Sequence, residues 1–231
     1  MSWAFSYFLL GRVKLMQIDI KKLSIELLDD FLNAFDNPEF FTNKDLSFGC
    51  YCTWYNWTDE LENERNKCND NSRQYFKRNL AIRLIEKCKL NGFLAYSNGS
   101  VVGWCNAGPK KNYERLNNQP LWSINMENNG NILSIVCYVV HPDMQRKGIA
   151  TSLLKAVCQD ACVNGYDYIE AYPGTNEDGT PSYHGNFSMY TKQGFELIKN
   201  QSGNTIARKN ALSLGRSVIR TRRDSNPRPP A

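Results

Sequence analysis

The chain lacks most of the short motifs that indicate a nucleotide site or a metal site. Its 231 residues include only two histidines and no Cys-x-x-Cys pair, so the usual spacing of zinc ligands is missing. It contains no Gly-x-x-x-x-Gly-Lys-Ser/Thr sequence and no Gly-x-Gly-x-x-Gly sequence, which argues against a P-loop and a dinucleotide-binding fold. These absences predict a protein without a bound metal and without either nucleotide fingerprint.

A long apolar run and an internal repeat are also missing. Residues 1–15 are apolar over about nine positions, far too few to span a bilayer, and no basic stretch precedes them as it does in a signal peptide. We therefore expect residues 1–15 to be an N-terminal extension, upstream of the true start if Met16 is the initiator. We expect no membrane association.

Outside the C-terminal tail the chain has almost no net charge. The chain has a net charge of +5, but residues 213–231 hold five arginines against one aspartate. A nearly neutral body does not predict a nucleic-acid surface. The tail is rich in Arg and Pro and has almost no apolar pattern, so we expect it to be disordered. A binding protein that acts through this basic tail is one alternative.

The chain does have enough apolar sequence for one packed domain. Apolar residues make up 42% of it, which favours a single domain that we place at residues 16–212. Several of the eight cysteines lie inside apolar patterns, where a free thiol behaves as a small hydrophobic group. This favours reduced thiols and a cytoplasmic protein. The pairs Cys50/Cys52 and Cys158/Cys162 offer thiols for a metal, but we predict no metal site.

Hydrophobic periodicity predicts a mixed α and β chain. A helix is expected over residues 25–35, ending before Pro38, and another over 73–90, with an irregular aromatic segment at 40–71. The dipeptide Asn98-Gly99 predicts a β-hairpin of residues 93–97 and 100–105. Further strands are expected at 132–140, 168–172, 195–198 and 205–207, and further helices at 149–164 and 187–193. This order predicts an α+β fold, a mixed sheet with helices on both faces.

Residues 132–150, ILSIVCYVVHPDMQRKGIA, are the most informative part of the sequence. An apolar strand leads into a basic turn, and Gly148 precedes an amphipathic helix that has no capping side chain. The N–H groups at a helix start have no partner within the helix, and the helix dipole adds partial positive charge there. This junction is therefore expected to bind an anion such as a phosphate.

Two spacings connect the chain with a known family. Gln145, Gly148 and Ala150 fit the pattern Gln/Arg-x-x-Gly-x-Gly/Ala, and about forty residues later Tyr190 lies four residues before Gly194-Phe195. Together they resemble the GCN5-related N-acetyltransferase (GNAT) superfamily, over roughly residues 16–212. The resemblance implies the acyl-CoA N-acyltransferase fold, with a mostly antiparallel central sheet. It also implies transfer of an acetyl group from acetyl-CoA to an amine, by direct attack in a ternary complex.

The resemblance also implies roles for particular residues. Tyr190 would donate a proton to the departing thiolate. The turn would hold the pyrophosphate, the strand would pair with the pantetheine arm, and an N–H near Val139 would stabilise the oxyanion. The implied residues for acetyl-CoA are Tyr138, Val139, Val140, Gln145, Arg146, Lys147, Gly148, Ile149 and Ala150. Asn186 is expected to cap the helix that carries Tyr190.

The acceptor and the general base are less defined. Aromatic side chains predict a pocket for a small, cationic or flat amine, through ring faces that attract an ammonium group. The candidates for that pocket are Trp54, Tyr55, Trp57 and Trp122. Glu127, Asp45 and His184 are the alternatives for the general base. The alternative functions are a non-catalytic acyl-CoA-binding module and a protein N-acetyltransferase, and the state is predicted as monomer or homodimer.

Overall fold

The computed structural model describes residues 17–41, 50–118, 130–174, 183–200 and 203–212. The predicted extension at residues 1–15 and the predicted tail at 213–231 lie outside these ranges. None of the helices in the described ranges is both long and apolar enough to cross a bilayer.

Seven strands and six α-helices are present in the described ranges. The strands are β1 (Asp19–Lys22), β2 (Gly92–Ser97), β3 (Ser100–Pro109), β4 (Ile132–Val140), β5 (Tyr168–Ala171), β6 (Glu196–Lys199) and β7 (Thr205–Asn210). The helices are α1 (Leu28–Asp36), α2 (Asp59–Asn66), α3 (Asp70–Glu86), α4 (Glu114–Asn118), α5 (Ile149–Val163) and α6 (Phe187–Lys192). Short 3₁₀ turns occur at Ile25–Leu27, Pro38–Phe40, Trp54–Asn56, Lys110–Asn112 and Pro142–Met144.

The strands form one sheet in the order β1-β2-β3-β4-β5-β7-β6. Every neighbouring pair is antiparallel except β4 and β5, which are parallel. Asn98 and Gly99 have φ angles of +50° and +81°, as the predicted β2-β3 hairpin requires. The predicted α+β fold with a mixed, mostly antiparallel sheet is confirmed.

Apolar side chains cover both faces of the sheet. One face packs against α5, whose buried residues include Leu153 and Val157. The other face packs against α1 and α3, where Phe31 and Phe35 contact Trp104 of β3. Gly103 allows α5 to lie close to the sheet, because a Cβ at this position would come within 2.7 Å of the Ile149 side chain. The start of α5 is thereby fixed against the middle of the sheet.

Two local predictions were wrong, and one strand was missed. The predicted helix 73–90 begins earlier, at Asp70, because the Asn69 side chain caps it by accepting from the Ser72 N–H at 2.9 Å. The segment 40–71 is not wholly irregular, since α2 forms there behind a Thr58 cap. Strand β1 was missed. It is a mostly exposed edge strand of four residues, and the alternation of Ile18 and Ile20 around it is too short to distinguish it.

The two parallel strands separate along their length. Strand β4 pairs with β5 only through its first four residues, from Ile132 opposite Tyr168 to Ile135 opposite Ala171. Strand β4 then continues to Val140 while remaining paired with β3. The outer edge of residues 136–140 therefore faces an opening between β4 and β5, and α5 begins just beyond the end of that edge.

Candidate active site

The turn after β4 leaves the start of α5 uncapped. Gly148 is the N-cap residue, with φ of +83°, and no side chain accepts from the first N–H groups of the helix. Arg146 also has a left-handed backbone, with φ of +61°. A Cβ placed on Gly148 would meet no atom of the described residues within 4 Å, so this part of the chain leaves the space above the turn open. Free N–H groups and an open approach are the conditions that an anion needs at a helix start.

The other predicted turn residues differ in what they expose. The side chains of Arg146 and Lys147 are exposed, and Ala150 is half-buried. Ile149 is buried in the core beneath α5, so it offers the open space only its backbone. Gln145 turns back on β4, where its side-chain amide donates to the Val140 carbonyl at 3.4 Å.

The backbone N–H groups of β4 point alternately toward β3 and toward the opening. The His141 N–H donates to the Val102 carbonyl at 3.0 Å, which makes His141 a hydrogen-bonded position of the β3-β4 ladder. Hydrogen-bonded and non-bonded positions alternate along antiparallel strands. The Val139 N–H therefore points toward β3, so the oxyanion N–H that the sequence predicted near Val139 would have to belong to a neighbouring residue. The N–H groups of Tyr138 and Val140 point into the opening instead.

A loop of the chain lies against this edge. The Tyr138 N–H donates to the Tyr183 carbonyl at 2.6 Å. Asn186 caps α6 as predicted, because its side chain accepts from the Met189 N–H at 2.8 Å. Residues 183–186 are thus anchored to β4 at one end and to α6 at the other. One of the two outward N–H groups of β4 is already bonded within the chain.

Tyr190 lies beneath the loop of residues 183–186 that covers part of the β4 edge. Its side chain is fully buried, and its ring packs edge-on against Phe195 at a centroid distance of 5.3 Å. Its hydroxyl donates to the His184 carbonyl at 2.6 Å. Burial is the main cause that raises the pKa of Tyr190 well above its ordinary value, so the hydroxyl keeps its proton at neutral pH.

A second phenol lies beside Tyr190, that of Tyr138, which the sequence assigned only to the strand expected to bind acetyl-CoA. The Tyr138 hydroxyl is buried beside the Tyr190 hydroxyl and the Cys105 thiol, without hydrogen-bond geometry to either. Burial raises the pKa of Tyr138 well above its ordinary value. Strand alternation already put this side chain on the same face as α5, but nothing in the sequence indicated that it would meet Tyr190.

The ring of His184 lies on the opposite side of the opening from Tyr190. It contacts Tyr55 edge-on at a centroid distance of 6.1 Å, and the Tyr55 hydroxyl lies 3.5 Å from Nδ1 and 3.3 Å from Nε2. The backbone of Val136 on β4 is within hydrogen-bonding reach of the ring. Burial lowers the pKa of His184, and the Val136 contact partly opposes this. The imidazole is therefore neutral at pH 7.

The predicted acceptor residues separate into two groups. Tyr55 lies at the opening, half-buried, beside His184 and Tyr113. Trp54 and Trp57 lie instead beside the guanidinium of Arg115, at 4.7 and 5.8 Å from their ring centroids. A cation of the protein thus already occupies the ring faces that the sequence suggested for an ammonium ligand. Trp57 is also buried and donates through Nε1 to Thr53 at 3.2 Å.

Three other candidates, Trp122, Glu127 and Asp45, lie outside the described residues. Within those residues no group of three or more His, Cys, Asp or Glu side chains is arranged to hold a metal. The eight cysteines are all free thiols, and the closest approach described among them is 3.3 Å, between Cys52 Sγ and Cys137 Sγ.

Comparisons with known proteins support one family. A sequence model described as "Acetyltransferase (GNAT) family" matches residues 51–195. No curated protein sequence matches the chain.

Solved structures give weaker likenesses. The PaiA N-acetyltransferase from Thermoplasma acidophilum, in complex with coenzyme A, has 16% identity over 84% of this chain and 99% of its own, with a TM-score of 0.44. An N-acetyltransferase from Staphylococcus aureus Mu50 has 14% identity over 84% and 99%, with a TM-score of 0.45. The aminoglycoside N-acetyltransferase AAC(6')-Iy, in complex with CoA, has 13% identity over 65% and 73%, with a TM-score of 0.38. At these values the likenesses carry no argument about substrate or mechanism.

Proposed function

Because the chain belongs to the acetyltransferase (GNAT) family, whose acetyl donor is acetyl-CoA, we propose that it acetylates the primary amine of a small molecule, by direct attack in a ternary complex. One observation carries the proposal. Strand β4 separates from β5 after Ile135, and the uncapped start of α5 lies at the end of the free edge. An anion site and an extended-chain site are therefore continuous, which suits a ligand with a pyrophosphate and a linear arm.

The residues at the turn fit the donor. The open space above Gly148 and the N–H groups at the start of α5 suit the pyrophosphate, and the exposed side chains of Arg146 and Lys147 add positive charge. When bound, acetyl-CoA supplies an activated acyl carbon and a thiolate leaving group. We assign the phosphate contacts to the backbone of residues 146–150.

The free edge of β4 suits the pantetheine arm at one point in particular. The N–H of Val140 points into the opening, and the Val140 carbonyl is covered by the Gln145 side chain. The neighbouring outward N–H, that of Tyr138, is bonded to Tyr183. We therefore assign strand-like pairing to Val140, and expect the loop at residue 183 to limit how far that pairing extends.

Tyr190 is the proposed general acid. Its raised pKa means that it carries a proton at neutral pH, and its hydroxyl lies beneath the loop of residues 183–186 at the β4 edge. Donation to a thiolate requires the hydroxyl to give up its bond with the His184 carbonyl. The pKa of a free thiol is about 8.5, so the thiolate is already a fair leaving group and needs only modest help.

The acceptor side favours a small amine. The aromatic side chains that line it come from Tyr55, Tyr113 and Tyr172, and only Tyr55 among them is partly exposed. Such a wall suits the apolar body of a small molecule, with the amine directed into the opening. A protein amine remains the alternative acceptor of this same chemistry.

One observation favours a second function, a non-catalytic acyl-CoA-binding module. The Tyr190 hydroxyl is fully buried and bonded to a main-chain carbonyl, as in an aromatic residue that serves only the core. In that case acetyl-CoA binds without turnover.

The test of the proposed function is release of free thiol from acetyl-CoA with a panel of amines: benzylamine, tyramine, spermidine, kanamycin and a lysine-containing peptide. We expect amine-dependent thiol release that is strongest with a small molecule, together with calorimetric binding of acetyl-CoA. Binding without release for any amine supports the binding module. Release with the peptide alone supports a protein acceptor, and absence of binding overturns both readings.

A further inference from the structure

The proposed reaction needs a base as well as an acid, because an alkyl ammonium cannot attack a thioester. His184 is the one sequence candidate for this role that lies in the described residues. Its carbonyl accepts from Tyr190 on one side of the opening, and its ring contacts Tyr55 on the other. A single residue therefore reaches from the proposed acid to the proposed acceptor side.

We propose that His184 is the general base that takes the proton of the acceptor ammonium, with Tyr55 as its positioning partner. This inference rests on the proposed function. It assigns the base to a residue of this chain that lies just before α6. The imidazole of that residue lies beside Val136, where the pairing of β4 with β5 ends.

The contacts of the ring suit a base. A backbone carbonyl can only accept, so the ring nitrogen that bonds to Val136 must carry the proton. The lone pair is then on the other nitrogen, on a ring whose edge faces the Tyr55 hydroxyl at 3.3–3.5 Å. One partner fixes the tautomer and the other fixes the ring plane, as is usual for histidines that transfer protons.

The surroundings also keep the ring neutral. The titratable groups near it are the phenols of Tyr55 and Tyr190. The thiols of Cys50, Cys52 and Cys137 in turn raise the pKa of Tyr55. Among the described residues no charged side chain contributes to the pKa of His184, which is set by burial and by Val136. The base is present at pH 7 and is lost only as the pH falls below the ordinary histidine range.

The protons balance across the opening. The acceptor ammonium loses two protons on becoming an amide. His184 takes the first and returns it to solvent, which leaves a neutral amine whose nitrogen forms the C–N bond as the C–S bond breaks. That nitrogen then loses its second proton, and a proton is returned to Tyr190 in place of the one it gave to the sulfur, so the net release is one proton per turnover.

The test compares His184→Gln with the parent chain, using whichever amine of the panel gives the highest turnover. We expect kcat to fall by about 10²-fold or more, within the range of general base catalysis. Acetyl-CoA affinity and melting temperature should change little. The parent kcat should fall as the pH is lowered through the His184 pKa, and the variant should lose that dependence. Tyr55→Phe should cause a smaller fall and should shift the midpoint of the same profile.

Two further measurements exclude a merely structural role. His184→Ala should regain part of its rate when imidazole is added, because a free base can occupy the vacated space. The chain has only two histidines, so proton NMR of the parent and of His141→Gln reports the His184 titration directly. We expect its midpoint below the ordinary value of about 6.5.

The outcomes separate the two proposals. If the parent turns over and His184→Gln keeps its kcat and its pH profile, the base is elsewhere and the proposed function stands. If His184→Gln is folded and slow but keeps the pH profile of the parent, and imidazole restores no rate to His184→Ala, then His184 is structural. The inference is then overturned. If the parent binds acetyl-CoA but turns over no amine, the proposed function fails and the inference falls with it.

Discussion

The proposed donor side and the proposed acceptor side of the β4-β5 opening are built in different ways. The donor side comes from one continuous stretch, from β4 through Gly148 to the start of α5, and its polar groups belong mainly to the backbone. The acceptor side combines Tyr55 and Tyr113 with the loop at His184. Its members are side chains from distant parts of the chain.

This difference determines what each side can tolerate. A backbone site depends on a few conformations, here two left-handed residues and a helix start, and most side chains around it are free to vary. A side-chain site depends on each of its groups, and a neighbour can redirect one of them, as Arg115 does with Trp54. Substitutions on the two sides should therefore affect different kinetic constants.

Apart from His184, the largest effect is expected where the two sides meet, at Tyr190. Tyr190→Phe removes only the hydroxyl, and we expect kcat to fall by about 10²-fold, the lower end for general acid catalysis, with acetyl-CoA affinity nearly unchanged. The variant also leaves the His184 carbonyl without its donor, a loss of about 1–3 kcal/mol that a melting curve would detect. Tyr75→Phe, on a residue that is 67% exposed, is the matched control.

An unchanged kcat in Tyr190→Phe, measured where chemistry limits the rate, would reduce Tyr190 to a core aromatic. The acid would then have to be sought elsewhere, with Tyr138 as the nearest alternative phenol.

A second prediction isolates the donor side. Gly148→Val places a branched side chain in the space assigned to the pyrophosphate, so the Kd for acetyl-CoA should rise by at least about tenfold, or about 1.4 kcal/mol. Gly165→Val is the control at the other end of α5. Gly165 also has a positive φ, +70°, and open space around its Cβ, so both variants share a left-handed strain of about 1–2 kcal/mol. Calorimetry on the two folded variants should show the affinity loss in Gly148→Val alone. If the two variants bind acetyl-CoA equally well, the assignment of the pyrophosphate to the space above Gly148 is wrong.

The smallest effect is expected for the contact of the Tyr55 ring with the acceptor, apart from the fall in kcat that loss of its hydroxyl beside His184 would cause. Tyr55→Ala should raise the KM for the amine by about 3- to 10-fold, which corresponds to the 0.5–1.5 kcal/mol of an aromatic contact, and should leave the KM for acetyl-CoA unchanged. Trp54→Ala should change the amine KM less, because the Trp54 ring contacts Arg115 and reaches the acceptor only through its edge-on packing against Tyr55 at 4.9 Å. Steady-state kinetics with both substrates varied would test this. A larger effect from Trp54 would show that the acceptor binds outside the opening.

The same difference explains what could be predicted from the sequence. The hairpin turn, strand β4 and helix α5 were found because each depends on local signals: Asn98-Gly99, an apolar run, and an i, i+4 stripe that ends at Gly165. The fold class followed from their order. The charged helix α2 was missed because it buries no residue and therefore has no apolar stripe.

The acceptor side could not be predicted in this way. Tyr55 and His184 are 129 residues apart in the chain, and no spacing rule links them. Trp57 was assigned to the pocket by residue type, but it is buried beside Phe76 and bonded to Thr53. Residue type predicts what a side chain can bind, whereas packing decides which way it points.

The short parallel seam between β4 and β5 also affects how strongly the two halves of the sheet are held together. It joins an antiparallel half made of β1 to β4 to a second half made of β5 to β7 through four residue pairs, from Ile132 to Ile135 on one side. Regions with few shared backbone hydrogen bonds open as separate cooperative units. A molecule seated in the opening would add a second bridge between the halves, and its binding free energy would count toward holding the sheet together. Occupation of the opening would thus add to the few backbone hydrogen bonds that join the two halves at this seam.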